Sequence, residues 1–142
     1  MFDLDPRLRN DTIALGHFPL SLLLLMNDRT YPWLILVPQR EGVREIYELD
    51  ALDQHQLLRE SSHLAKTLAS LFHPDKLNIA ALGNVVPQLH LHHVVRFRHD
   101  PSWPAPVWGK APAVPYPPEE IITIRDRLSP LLDNFTSTPE SF

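Results

Sequence analysis

Two histidines in one short apolar segment are the residues of this chain best suited to chemistry. The run of apolar residues in Gln88–Phe97 predicts a β-strand. Side chains alternate between the two faces of a strand, so Gln88, His90 and His92 share one face. His93 lies on the opposite face. A neutral imidazole is a nucleophile near neutral pH, and the amide beside the pair can donate and accept hydrogen bonds.

Three interpretations of this segment compete. The histidines are solvent-facing strand residues, or they are two nitrogen ligands of a metal ion. A metal would need a third ligand from elsewhere, such as His17, His99 or an acidic side chain. In the third interpretation one imidazole attacks a substrate and the other donates a proton to the leaving group, while amide and backbone donors hold phosphate oxygens. The segment by itself leaves all three open.

Composition excludes several classes of function. The 142 residues include 13 basic and 17 acidic ones, a formal net charge of −4, which argues against binding nucleic acid through bulk charge but permits a small phosphate ligand. Cysteine is absent, which excludes disulfides, thiolate metal sites and a cysteine nucleophile. The four glycines fit neither a Rossmann nor a P-loop spacing. No apolar run is long enough to cross a membrane and no secretory signal is visible, so we expect a cytoplasmic protein.

The elements that must position the histidine strand form an α+β pattern. Helical periodicity predicts a long helix over Ala51–Phe72, with Asp50 as its N-cap and Pro74 after its end, and a closing helix over Glu119–Leu132. The expected fold is an antiparallel sheet of about five strands, with the long helix after the third strand. The predicted strands are Thr12–His17, Leu20–Met26, Trp33–Val37, Leu77–Leu82 and Gln88–Phe97.

Seven of the fifteen prolines fall between Pro101 and Pro118. We therefore divide a single domain into a body (residues 1–99), a proline- and tryptophan-rich arm (100–118), and a closing helix and tail (119–142). The arm either packs Trp103 and Trp108 on the body or forms the rim of a site, and a proline ligand for an SH3 or WW domain is a weaker alternative. Residues 134–142 are expected to be mobile.

The strand and its preceding turn resemble the signature of the histidine triad (HIT) family. The string GNVVPQLHLHHVVR over Gly83–Arg96 is similar to the family pattern Gly-Gln-x-Val-x-His-apolar-His-apolar-His. Upstream, Leu24–Asp28 and Trp33–Pro38 resemble the strand, turn and strand of the family, and the long helix falls where the family places one. The resemblance covers roughly residues 10–100.

This chain departs from the family pattern at several positions. Gln88 stands in place of the first triad histidine, Trp33 in place of a histidine upstream, and Asn84 in place of a glutamine. The connection from residue 78 to 83 is also shorter than the usual phosphate loop. His90 matches the central, nucleophilic histidine, and His92 matches the third.

The resemblance implies attack by His90 on the α-phosphate of a nucleotide conjugate, a phosphohistidine intermediate, and release of a nucleoside monophosphate. It implies that His92 acts as general acid and that Gln88 orients His90 or holds a phosphoryl oxygen. Asn84 would stabilise the developing charge, although it also suits a simple turn cap. The scheme needs no metal and no cofactor. The alternatives are a nucleotide-binding protein with little turnover and a metal-dependent site.

The resemblance also suggests further contacts to the substrate and to a partner. Asn27 or Asp28 would lie near the ribose, although the pair is equally suited to an ordinary turn. Arg96 would meet phosphate unless it is a surface residue at a strand end. Trp108 would reach the site of its own chain or of a second copy, because we expect a homodimer that joins two sheets.

Overall fold

A five-stranded antiparallel sheet forms the centre of the computed structural model, which describes residues 1–132. The predicted mobile tail at residues 134–142 lies outside the described residues. The strands are β1 (Thr12–His17), β2 (Ser21–Met26), β3 (Trp33–Pro38), β4 (Lys76–Ala80) and β5 (Leu91–Arg96). Their order across the sheet is β1-β2-β3-β5-β4. The first three strands form a meander, and β5 lies between β3 and β4. The strand that carries His92 therefore has a neighbour on each side.

Helices surround this sheet in the predicted α+β order, which confirms the fold class. The helices are α1 (Pro6–Asp11), a short 3₁₀ helix (Ile46–Glu48), α2 (Ala51–Phe72) and α3 (Pro118–Leu128). The carboxylate of Asp50 accepts a hydrogen bond from the backbone N–H of Asp53 at 2.8 Å, so Asp50 is the N-cap of α2 as predicted. Within residues 1–132, no helix is both long and apolar enough to cross a bilayer.

The sheet buries both of its faces, so β3 at its centre is apolar and buried throughout. In β3, Leu34 and Leu36 pack in the core cluster that includes the apolar face of α2. Ile35 and Val37 pack in a second cluster on the opposite face, where α1 and the arm cover the sheet. His92 pairs in register with Ile35 on β3. Alternation along β5 therefore places His92 on the face covered by α1 and the arm, and the next residue on the face covered by α2.

The histidine strand is shorter than predicted, because β5 begins at Leu91 rather than at residue 88. On one side of β5, β4 ends at Ala80, which pairs with His92. The backbone N–H of Leu89 instead donates to the carbonyl of Val43 at 3.0 Å. Residues 88–90 therefore lie in a loop at the end of the sheet.

Helix α1 was not predicted, because its six residues contain a single buried apolar side chain and show no periodicity. Asp5 caps it by accepting from the backbone N–H of Arg7 at 2.8 Å, and Pro6 is its first residue. An Asp-Pro pair is the local signal that indicates this helix start.

Candidate active site

The structure brings the side chains of His90 and His92 into contact. Their ring centroids lie 4.8 Å apart, with the ring planes at 72°. Both side chains are buried. His90 is the last residue of the loop and His92 is the second residue of β5, so the loop and the sheet together hold the pair.

A backbone carbonyl fixes the orientation of His90. Its Nδ1 lies 2.7 Å from the carbonyl oxygen of Gln88. A carbonyl oxygen can only accept, so Nδ1 carries the hydrogen and donates it. In the neutral ring Nε2 then has a free lone pair. His90 is therefore held in the tautomer that a nucleophile needs.

His92 is held in the opposite tautomer by Trp33. The indole Nε1–H of Trp33 donates to Nδ1 of His92 at 2.9 Å. Since an indole N–H has no lone pair to accept with, Nδ1 is the acceptor and the neutral ring carries its hydrogen on Nε2. Burial, together with the smaller effects of the nearby His90 and His93, lowers the pKa of His92 to about 3. At neutral pH His92 therefore offers an Nε2–H donor beside His90.

His93 lies on the opposite face, as predicted, and joins β5 to α2. The hydroxyl of Ser61 on α2 lies 2.7 Å from its Nε2, and its Nδ1 donates to the carbonyl of Leu91 at 3.2 Å. Burial lowers the pKa of His93 to about 4, although the hydrogen bond to Leu91 opposes the shift. His93 is a structural residue.

The side chain of Gln88 does not contact His90 through any hydrogen bond, which corrects the expectation that its amide orients that histidine. Its Oε1 accepts from the backbone N–H of Asp5 at 2.9 Å, and its Nε2 donates to the carbonyl of Asp3 at 2.9 Å. The amide thus anchors the N-terminal segment, and the backbone carbonyl of the same residue orients His90.

A cavity of about 610 Å³ lies beside Trp33, and it is lined by Asn27 and Asp28, the two residues expected near a ribose. Asn27 Oδ1 accepts from the backbone N–H of Tyr116 at 2.9 Å. Asp28 Oδ1 accepts from the N–H of Thr30 at 3.1 Å. These bonds orient both side chains at the wall of the cavity.

Trp108 lines the same cavity, so the arm reaches the site of its own chain. Its ring centroid lies 5.3 Å from that of His92 and 5.8 Å from that of Trp33. Its Nε1 atom is buried and has no hydrogen-bond partner within residues 1–132. A buried donor without a partner is costly.

A second cavity, of about 430 Å³, adjoins His90 on the side of the loop. Asn84, predicted as a phosphate donor, lines it together with His90. Arg44 also lines this cavity, and the sequence does not predict its role because no motif or periodicity surrounds it. Glu45 and Glu48 line it as well, so the cavity combines an imidazole, an amide, a cation and two carboxylates.

Arg96 is not available to a substrate, which corrects both of its expected roles. Its side chain is 1% exposed and donates to the two carboxylate oxygens of Asp100, at 2.8 and 3.1 Å. It also donates to Asn78 Oδ1 at 2.7 Å and to the carbonyl of Ala105 at 2.8 Å. Burial raises the pKa of Asp100, but its hydrogen bonds, chiefly from Arg96, outweigh that effect and lower the pKa to about 2. Arg96 holds the arm on the sheet.

The metal interpretation of the histidine strand lacks a complete ligand set. Within residues 1–132, no three His, Asp or Glu side chains come close enough together to hold a metal ion. The third ligand, expected from His17, His99 or an acidic side chain, is not supplied by this part of the chain.

Comparisons with known proteins place the chain in a family. The HIT domain model matches residues 7–99. A histidine triad protein from Marinobacter aquaeolei VT8 is 55% identical, with a TM-score of 0.93 over 95% of this chain and 98% of that one. Histidine triad proteins from Sinorhizobium meliloti 1021 and Bradyrhizobium japonicum are 47% and 44% identical, both with a TM-score of 0.88, over 94% and 90% of this chain and 96% of each of theirs. None of the curated proteins matches significantly. The chain belongs to the histidine triad (HIT) family.

Proposed function

We propose that this protein is a nucleotide hydrolase or transferase that acts at the α-phosphate of a nucleotide conjugate and releases a nucleoside monophosphate. The observation that carries the proposal is the 2.7 Å contact between His90 Nδ1 and the Gln88 carbonyl, which leaves Nε2 of His90 free to attack. The family membership supports a nucleotide as the ligand.

The reaction is a double displacement on phosphorus. Nε2 of His90 attacks the α-phosphorus, a P–N bond forms, and the bond to the leaving group breaks with its electron pair on that group. Positive charge develops on the imidazole, and the Gln88 carbonyl stabilises it through Nδ1–H. Water then attacks the phosphorus, and the P–N electron pair returns to His90 as the nucleoside monophosphate forms. One proton of that water stays on the product phosphate or passes to solvent, and the other passes to solvent.

Groups on both sides of His90 assist this reaction. Nε2–H of His92 donates to a phosphoryl or leaving-group oxygen, and Asn84 and Arg44 face negative charge from the second cavity. The larger cavity, whose volume falls within the range of roughly 300–1,000 Å³ typical of ligand pockets, takes the nucleoside. There Asp28 accepts from ribose hydroxyls and Trp108 Nε1 donates to a ligand oxygen.

We further propose a homodimer joined through β4. This strand forms one edge of the sheet, where unpaired backbone groups favour addition of another strand. An apolar groove of about 570 Å³ between α2 and β4 carries Leu58 and Ile79, which are 67% and 49% exposed. The expected result is a dimer by light scattering in the wild-type protein and a monomer in L58E. A wild-type monomer at micromolar concentration would refute this arrangement.

Release of nucleoside monophosphate from a panel of adenosine and guanosine conjugates, with EDTA present, tests the proposed reaction. We expect turnover by the wild type and by H99N, a control that removes an exposed histidine, and a loss of about 10³-fold or more in H90N. Nucleotide binding without turnover of any conjugate would instead favour a binding protein. Loss of wild-type activity in EDTA would favour a metal-dependent site.

A further inference from the structure

The contact between Trp33 and His92 bears on the leaving group of the proposed substrate. Trp33 lies at the start of β3, where it pairs in register with Val94, and its side chain is buried. Its ring lies against those of Tyr31 and Trp108, with centroids 6.4 and 5.8 Å away. Because packing on these sides holds the indole in place, its N–H is a fixed donor aimed at Nδ1 of His92.

A fixed donor at Nδ1 opposes protonation of His92. A proton on Nδ1 would set two N–H groups against each other across a buried distance of 2.9 Å and break the hydrogen bond there. Trp108 from the arm also faces His92, and Ile35 and Ala80 flank it on β3 and β4. None of these neighbours carries a negative charge that would favour an imidazolium.

The ionisable neighbours of His92 also oppose its protonation. His90 contacts its ring and His93 follows it in β5, and both oppose a positive charge on it. At the second cavity the carboxylate of Glu48 already accepts from the backbone N–H groups of Arg44 and Glu45, at 3.2 and 2.9 Å. Within the described residues, hydrogen-bond donors therefore lie around His90. His92, the histidine placed to serve the leaving group, is neutral and keeps its Nε2 proton.

We infer that Trp33 restricts the proposed reaction to conjugates whose leaving group departs as a stable anion, namely anhydrides of a nucleoside monophosphate with phosphate, sulfate or a carboxylic acid. This inference rests on the proposed function. In such a substrate the P–O bond breaks as Nε2 of His90 bonds to phosphorus, and the departing oxygen keeps the electron pair without gaining a proton. The Nε2–H of His92 stabilises that oxygen by a hydrogen bond. An amine leaving a phosphoramidate must instead gain a proton on nitrogen, which a neutral imidazole supplies poorly.

Trp33 is thus a positioning residue, and its effect is measurable in the dependence of rate on the leaving group. We would compare kcat/KM for phenyl esters of adenosine monophosphate whose ring substituents raise the phenol pKa stepwise, and for an acyl adenylate against adenosine phosphoramidate. In the wild type we expect kcat/KM to fall steeply as the leaving-group pKa rises. We also expect the phosphoramidate rate to be at least about 100-fold below the anhydride rate. The imidazole introduced in W33H can accept a hydrogen bond from His92. In W33H, kcat/KM should therefore depend less on the leaving-group pKa, and the ratio of the anhydride rate to the phosphoramidate rate should fall at least about 10-fold. The control W103F, in the arm beside Arg96, should keep the wild-type slope.

Nitrogen-15 NMR of the histidine rings gives a second readout that needs no turnover. His92 should remain neutral with its hydrogen on Nε2 at pH 5 in the wild type, and should take up a proton at higher pH in W33H and W33F than in the wild type. A wild-type His92 that is protonated at pH 5, or a wild-type rate independent of the leaving group, would overturn the inference. If no adenylyl substrate reacts, the proposed function fails and the leaving-group restriction fails with it, while the NMR result still decides whether Trp33 controls His92.

Discussion

The backbone carbonyl of Gln88 accepts from Nδ1 of His90 at 2.7 Å, while the side chain of the same residue binds the N-terminal segment 83 residues away in sequence. The main chain therefore orients His90, and this arrangement survives any substitution that keeps the local backbone in place. The position that resembles the first triad histidine has become an anchor for the segment before α1.

Q88A separates these two roles. We expect the free energy of unfolding to fall by about 1–2 kcal/mol, because the backbone groups of Asp3 and Asp5 lose their amide partner. We expect kcat to change by less than about 10-fold, because the carbonyl remains. Urea unfolding and monophosphate release measure the two effects. If Q88A lost as much activity as H90N while its N-terminal segment kept its protection from hydrogen exchange, the side chain would have the catalytic role.

Trp108 tests whether the arm contacts the ligand. W108F keeps an aromatic ring against His92 but removes the buried Nε1–H that has no partner within residues 1–132. We expect KM for the nucleotide to rise about 10-fold, the effect of one hydrogen bond to a charged ligand, with stability unchanged or increased. W103F in the same arm is the matched control. An unchanged KM in W108F would show that the indole N–H does not meet the ligand.

Substitution of Arg96 distinguishes a structural role of this residue from phosphate binding. R96M leaves the buried carboxylate of Asp100 without its cation, and we expect a loss of about 3–5 kcal/mol in the free energy of unfolding. R98M removes an exposed arginine 3.9 Å from Asp75 and should cost less than about 1 kcal/mol. A folded R96M protein with normal stability and a raised KM would instead identify Arg96 as a phosphate ligand.

Stability should fall as the pH drops below 6.5. His92 and His93 are neutral in the fold, with pKa values lowered to about 3 and about 4, whereas in the unfolded chain they titrate near 6.5. The unfolded state therefore binds more protons between pH 6.5 and about 4, and each histidine removes at most about 1.4 kcal/mol per pH unit there. Urea unfolding at pH 7, 6 and 5 measures the slope. A flat profile over this range would contradict burial of two neutral histidines.

The sequence predicts local features of this site better than it predicts contacts between residues that are distant in sequence. Alternation along β5 correctly separates His92 from His93, because that pattern depends only on neighbouring residues, whereas His90 meets His92 from the loop before the strand. Capping and periodicity likewise predict α2 over Ala51–Phe72, as observed.

The predictions that failed depend on packing between distant segments. Gln88 finds its partners in the N-terminal segment, and Arg96 finds Asn78 on the adjacent strand β4. Burial of Arg96 follows from how the arm folds back over the sheet, which no spacing within β5 encodes. The donor role of Trp33 also becomes visible only when β3 and β5 are paired in register.

The most direct test of the central claim is to identify the intermediate. Wild-type protein mixed with an adenylyl anhydride in EDTA and quenched within milliseconds should carry an adenylyl group that is stable to base and labile to acid, on the peptide containing His90. Mass spectrometry of that peptide should place the group on His90, and H90N should show none. Turnover without any adduct, or an adduct on another residue, would contradict covalent catalysis by His90.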